Sequence, residues 1–251
     1  MDKIAQFKSL HVPGDPLILV NIWDAGSAKA VEAAGAKALA TGSYGVAGAQ
    51  GIDDGEHFPL DAAIANLEKI VAVTDLPVSI DMEAGYGDNA DEVAASVDRA
   101  KQAGACGINM EDRLPGETKL LSISDYCPRL EAAAKTGLHI NARCDTFLGQ
   151  SVENDRERLI SEVLERSNAY AGSGASSLFV PFLSDAGCIS EICEKSTLPV
   201  NILRSSDGPT HKAMADMGVA RISHGHQSWA GAMAWLERQA KQVLEGGEPD
   251  Y

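Results

Sequence analysis

Short apolar, β-branched runs alternate with longer segments of helical period from one end of the chain to the other. That alternation predicts repeated strand–helix units around a parallel sheet. Eight strands are predicted, at residues 17–24, 37–43, 77–83, 107–112, 138–145, 176–183, 198–203 and 219–223. Helices are predicted between them, for example at 27–34, 60–73, 90–103 and 153–171, with Gly35, Gly104, Gly137 and Gly172 as stop signals. Eight such units in 251 residues fit a closed barrel better than an open doubly wound sheet. The expected fold class is therefore α/β, a (β/α)8 TIM-type barrel forming a single domain over residues 1–251. Residues 1–16 read as an N-terminal extension, and 227–251 as a closing helix followed by a loose tail.

Composition adds little to this picture, and charge adds more. Thirty-six acidic residues against 21 basic ones give a net charge of −15, which argues against a nucleic-acid partner because phosphate binding needs Lys and Arg. An anionic substrate would then require a local remedy: a metal ion, backbone amides or a placed Arg. The five cysteines are an odd set without a CxxC pair, as expected of reduced thiols and not of a disulfide framework or zinc site. Neither a signal peptide nor a membrane span is indicated, and a cytoplasmic location is expected. No GxGxxG or GxxxxGK[ST] spacing supports nucleotide binding.

In a barrel of this kind chemistry sits at the C-terminal ends of the strands, so the polar residues there come first. They are Trp23-Asp24, Thr41-Gly42-Ser43, Asp81-Met82-Glu83, Glu111-Asp112, Arg143-Cys144-Asp145 and Asn201. Asp81 and Glu83, two apart on one strand, would share a face and point together into the barrel mouth. Glu111 on the next strand could complete an oxygen-only cluster, which favours Mg2+, with Mn2+ also possible, over zinc. Arg143 needs an anion, either a substrate carboxylate or phosphonate, or a structural partner such as Glu111 or Asp81. Thr41-Gly42-Ser43 offers amides and hydroxyls as an oxyanion nest. His224-Gly225-His226 ends the last strand at the same face; no Ser-His-Asp grouping or HExxH spacing is present.

The segments Asn21-Ile22-Trp23-Asp24-Ala25-Gly26-Ser27-Ala28, Asp81-Met82-Glu83-Ala84-Gly85-Tyr86-Gly87-Asp88, Gly107-Ile108-Asn109-Met110-Glu111-Asp112 and Asn141-Ala142-Arg143-Cys144-Asp145 closely resemble the isocitrate lyase/phosphoenolpyruvate mutase superfamily. The likeness runs from about residue 18 to 225, and the DxEAGYGD block is its most specific part. The resemblance implies Mg2+ bound near Asp81, Glu83 and Glu111, partly through waters, with Asp54 as a further acidic site residue. Thr41, Gly42 and Ser43 would hold the substrate carboxylate, completed by Arg143 and Asn201, and Trp23 joins the substrate-binding candidates. Arg143, Glu111 and Asp54 are the catalytic candidates.

The implied reaction makes or breaks a C–C or P–C bond next to a 2-oxo acid through a pyruvate enolate. Departures from the family pattern narrow it. Isocitrate-type lyases carry a Cys-bearing loop after strand four, whereas this chain has Arg113-Leu114-Pro115-Gly116-Glu117-Thr118-Lys119-Leu120, and Cys127 falls later in a predicted helix. The mutases have a longer gating loop. The expected activity is therefore Mg-dependent C–C cleavage of a small 2-oxo acid, of lyase or oxaloacetate decarboxylase type. The alternatives are phosphonopyruvate hydrolase or mutase chemistry, or a catalytically inactive binding barrel. A homodimer or homotetramer is expected, without nucleic-acid or membrane partners.

Overall fold

The computed structural model describes residues 2–251. Eight parallel strands, β1 (Leu17–Leu19), β2 (Leu39–Ala40), β3 (Val78–Asp81), β4 (Gly107–Glu111), β5 (His139–Arg143), β6 (Ser177–Val180), β7 (Val200–Leu203) and β8 (Arg221–Ser223), form one sheet in the order β1-β8-β7-β6-β5-β4-β3-β2. The seam between β1 and β2 is carried by the isolated parallel bridge Ile22–Thr41, with Ile22 N–H donating to Ala40 O at 2.9 Å. The barrel fold expected from the alternation is what the chain forms. The strands are shorter than the apolar runs predicted: β6 stops at Val180 because Pro181 has no N–H for the ladder.

Among the described residues ten α-helices accompany the strands: α1 (Lys3–Ser9), α2 (Ala25–Ala33), α3 (Ser43–Gly48), α4 (Leu60–Val71), α5 (Ala90–Gln102), α6 (Ile123–Ala134), α7 (Val152–Gly172), α8 (Ala186–Lys195), α9 (His211–Asp216) and α10 (Gln227–Leu244). Alternation along each strand sends Ile80, Ile108, Met110, Ile140, Leu178, Val180, Ile202 and Ile222 into the core shared with the helices. Burying such a side chain is worth about 1.5–3 kcal/mol, so this layer dominates stability.

The structure adds one feature to the sequence expectations and corrects two. The N-terminal extension includes α1, whose Phe7 is fully buried and clusters with Leu17, Leu19, Ala38, Ala40 and Cys106 at the N-terminal end of the barrel. Gly172 is still helical; the left-handed residue that ends the turn is Gly174, at φ +91°. The tail is not loose either. Asp250 N–H donates to Gln239 Oε1 at 2.7 Å, and Tyr251 lies 5.8 Å from the Trp235 ring.

Candidate active site

A cavity of about 330 Å3 opens at the C-terminal ends of the strands. Gly42, Ser43, Asp54, Asp81, Asn109 and Arg143 line it from the β2–β5 side, Phe179, Pro181, Phe182 and Leu203 from β6 and β7, and Ser223, Gly225 and His226 from β8 and its loop. A smaller recess beside it is bounded by Thr41, Ser43, Asp81, Glu83 and Tyr86, so Ser43 and Asp81 serve both.

The Gly-rich stretch after β2 is a helix, not only a turn. Gly42 is the N-cap of α3, and α3 packs so tightly on α10 that a Cβ on Gly48 would lie 2.8 Å from the Trp229 ring. That contact seats Ser43, whose N–H donates to Asp81 Oδ2 at 3.1 Å. Thr41 is buried and lies outside the larger cavity, where its Oγ1 accepts from Asp81 N–H at 2.9 Å. The proposed nest thus divides: Thr41 fixes the acid, while Gly42 and Ser43 face the cavity.

Asp81 ends β3, but Glu83 does not share its strand face as the two-residue spacing predicted. Glu83 lies beyond the strand in the left-handed region at φ +48°, followed by Gly85 at +109° and Tyr86 at +51°. Such conformations are rare for residues with a Cβ and persist only when surroundings over-determine them. Here they do. Glu56 Oε1 accepts from the N–H groups of Ala84 and Tyr86 at 3.1 and 3.0 Å, and Glu56 N–H donates to Glu83 Oε2 at 2.7 Å. Arg129 donates to the carbonyls of Gly87 and Asp88, and a Cβ on Gly87 would lie 2.7 Å from the backbone of Val93. Glu56, a buttress of this turn, was not singled out in the sequence; only its neighbour Asp54 was.

Arg143 at the end of β5 spends its fork on a residue two positions on. Its Nε and Nη2 donate to the two Asp145 oxygens at 2.6 and 2.8 Å, and Nη1 meets Glu111 Oε2 at 2.5 Å. Asp145 is fully buried at its side chain, also accepts from Arg113 Nε at 3.2 Å, and is itself held by Asp112, whose Oδ1 accepts its N–H at 3.0 Å. Asp112 in turn takes 2.6 and 3.2 Å hydrogen bonds from Tyr170 and Arg166 of α7. Arg143 therefore presents a fixed positive charge to the cavity, not a free bidentate clamp. The 5.8 Å stack of Phe182 on its guanidinium covers it further.

Below the cavity the barrel interior is polar. Asn141 donates to Asn109 Oδ1 at 2.8 Å, Ser177 to Asn141 Oδ1 at 2.6 Å, and Ser223 to Asn201 Oδ1 at 3.3 Å. Asn201 is fully buried in this layer and does not line the cavity, so it supports the floor rather than completing the pocket wall. Arg221, also fully buried, donates to Asn109 and Ser223 at 3.2 and 3.1 Å, and burial pushes its guanidinium down to about 9. Trp23 is likewise absent from the cavity wall and packs against Val46, Ala47, Phe58 and Ala63. Asp24 caps α2 by accepting from Ser27 N–H at 2.7 Å. His224 turns away to meet His211 at 3.1 Å, leaving His226 at the cavity.

The acids at the mouth are held at a cost. Burial, then the negative charges of Asp81 and Asp54, push Glu83 up to about 8. Burial raises Glu111 to about 8 against the pull of Arg143, and raises Asp81 as well. Buried carboxylates that repel one another are the setting a cation relieves. All the donors are carboxylate oxygens, the chemistry of Mg2+ or Mn2+. Among the described residues no three His, Cys, Asp or Glu side chains converge closely enough to cage an ion unaided. Mg2+ usually keeps several waters and takes only one or two carboxylates. Asp81, which lines both cavities, would be the acid placed to hold such an ion; Glu83 lines the smaller recess, and Glu111, paired with Arg143, lines neither.

A family model described as phosphoenolpyruvate phosphomutase matches residues 7–244. The crystal structure of "a putative phosphonomutase" from Burkholderia cenocepacia J2315 superposes with a TM-score of 0.93 at 43% identity, covering 96% of this chain and 98% of that one. An uncharacterized protein of Mycobacterium tuberculosis (strain ATCC 25618 / H37Rv) is 32% identical over 96% of this chain and 89% of its own length. The 2-methylisocitrate lyase of Escherichia coli (strain K12) is 27% identical over 76% of this chain and 70% of its own. No helix among the described residues is long and apolar enough to cross a membrane.

Proposed function

Because the chain belongs to the isocitrate lyase/phosphoenolpyruvate mutase superfamily, we propose that it is an Mg2+-dependent lyase that breaks a C–C bond of a small 2-oxo acid through a pyruvate enolate. The observation that carries this reading is the cavity itself, where one fixed cation, Arg143, faces Asp54 and Asp81 at a barrel's catalytic end. A bound divalent cation would stabilise the negative charge that develops on the 2-oxo oxygen as the bond breaks. The chain's own residues orient the substrate. Ser43 and Gly42 face its carboxylate, Arg143 supplies charge from a position that Asp145 and Glu111 keep rigid, and Asn109 and Ser223 form the floor. Asp54 reaches the cavity from the exposed loop between α3 and α4, a place from which a carboxylate can exchange protons with solvent. Thr41 acts through Asp81, and Asn201 through Ser223. A homo-oligomer remains part of the proposal.

P–C chemistry is the second reading, favoured by the likeness to the Burkholderia structure. Against it, Arg143 is the one Lys or Arg among the described residues lining the cavity, a thin supply of charge for a phosphonate.

The test is to incubate the protein with Mg2+ and, in turn, oxaloacetate, 2-methylisocitrate, 4-hydroxy-2-oxo acids and phosphonopyruvate, coupling pyruvate release to lactate dehydrogenase. Pyruvate that EDTA stops, above the metal-catalysed background and lost in Asp81→Ala, is expected. Phosphate release from phosphonopyruvate alone would move the assignment to P–C cleavage. Mg2+ binding with no turnover on any compound would leave a binding barrel.

A further inference from the structure

The two halves of the cavity differ in chemistry. All its charge lies on the β2–β5 side, in Asp54, Asp81 and Arg143. The half made by β6, β7 and the loop after β6 is Phe179, Pro181, Phe182 and Leu203, with no donor or cation on any of the four side chains. That apolar wall is built, not incidental. Leu203 packs so closely on Gly225 that a Cβ there would lie 2.7 Å from its Cδ1, and Gly225 sits at φ +55°. Phe179 is buried, yet Phe182 is 49% exposed and held at φ +62°, a conformation that bulky residues rarely adopt. Strain that places an aromatic ring at the cavity rim, stacked on Arg143, marks the ring as part of the site.

Charge accounting points the same way. Arg143 is already matched by Glu111 and Asp145. One divalent cation would itself be balanced by Asp54 and Asp81, so the site holds no spare positive charge for a second carboxylate. A second carboxylate seated on Phe179 and Leu203 would be desolvated with no partner on either side chain, which is unfavourable. A volume of about 330 Å3 is ample for a substrate longer than pyruvate.

We propose that this site takes a 2-oxo acid with a single carboxylate at the Arg143 side and an apolar group at its far end, seated on Phe179, Pro181, Phe182 and Leu203, and that it discriminates against dicarboxylates. The inference rests on the reading of the cavity as a 2-oxo acid site and names its substrate class.

The test is a calorimetric titration of the full-length protein in Mg2+ with three probes. Pyruvate reports the shared head, and 2-oxoglutarate and 5-methyl-2-oxohexanoate have the same skeleton, ending in a carboxylate and in an isopropyl group. The apolar probe should bind at least tenfold more tightly than 2-oxoglutarate. Phe182→Arg, at the exposed rim, should narrow or reverse that ratio. Equal or tighter binding of 2-oxoglutarate to the wild type overturns the proposal and leaves the 2-oxo acid reading standing. So does pyruvate binding without either longer probe. No binding of any probe refutes both.

Discussion

Phe7→Ala should destabilise the barrel from the end opposite the cavity. Phe7 is fully buried and is the one buried residue of α1. Its ring stands edge-on to His11 and His139, with centroids 5.0 and 5.3 Å away, and fills the space where a Cβ on Gly107 would fall 2.7 Å from its Cε1. Truncating such a ring removes its transfer energy and leaves a cavity, a loss of about 3–5 kcal/mol. For a chain of this size each kcal/mol moves Tm by about 2–4 °C, so a fall of roughly 6–20 °C is expected in thermal and urea unfolding followed by circular dichroism. A double-mutant cycle sharpens the test. Gly107→Ala alone collides with the ring, but in the Phe7→Ala background its methyl keeps only the 3.0 Å approach to the His139 carbonyl, so the two costs should fall short of additive by more than about 0.5 kcal/mol. Pyruvate affinity should be unchanged, because Phe7 lies at the far end of the strands. A Tm loss under about 2 °C, or additive costs, would refute the idea that α1 seals the barrel.

Three further outcomes are expected. Arg143→Lys keeps the charge but loses the paired 2.6 and 2.8 Å bonds to Asp145, so kcat/KM on the wild type's substrate should fall at least tenfold; unchanged kinetics would make Arg143 purely structural. Gly48→Ala drives a methyl to 2.8 Å from the Trp229 ring and should cost about 1–3 kcal/mol with a shift in Trp fluorescence, whereas wild-type Tm and spectrum would deny the close packing of α3 on α10. The third is a pH effect: burial, with the nearby Arg221 charge, lowers His11 from the usual 6.5 to about 3, so the folded state keeps it neutral while the unfolded chain takes up a proton below about 6.5. Its contribution is therefore present above pH 6.5 and is lost as pH falls towards 3, at about 1.4 kcal/mol per pH unit. Glu83 and Glu111, raised to about 8, push the metal-free protein the other way, so the diagnostic quantity is a difference. His11→Gln should shift the slope of unfolding free energy between pH 6 and 4.5 by one proton relative to wild type, and equal slopes would contradict the assignment.

How far the sequence reveals the site depends on whether a residue's role is local. The DxEAGYGD block is legible because its geometry is self-contained. A carboxylate ends a strand, left-handed residues Glu83, Gly85 and Tyr86 reverse the chain, and Gly87 fits where Val93 leaves no room for a Cβ. Little else can occupy those positions, so the letters carry the shape. Most of the strands are legible for a similar reason, since they alternate an outward apolar residue that packs on a helix with an inward one; β1 differs, its outward Ile18 being 41% exposed.

What the linear pattern hides are partnerships across the chain. Asp145 holds Arg143 only because Tyr170, 58 residues past Asp112, fixes the carboxylate that receives its N–H. Glu56 shapes the Glu83 turn from 28 residues upstream of Ala84. The polar lumen is hidden differently. Alternation tells that Asn109, Asn141, Asn201 and Arg221 point inward, but barrel interiors are usually filled by Val, Ile and Leu, so inward at a strand end reads as cavity wall. For Asn201 that reading misses by one layer: the strand carries Leu203, not Asn201, to the mouth. The same two-residue step puts an apolar side chain where a polar one was expected, and the preference for an apolar-tailed substrate follows from it.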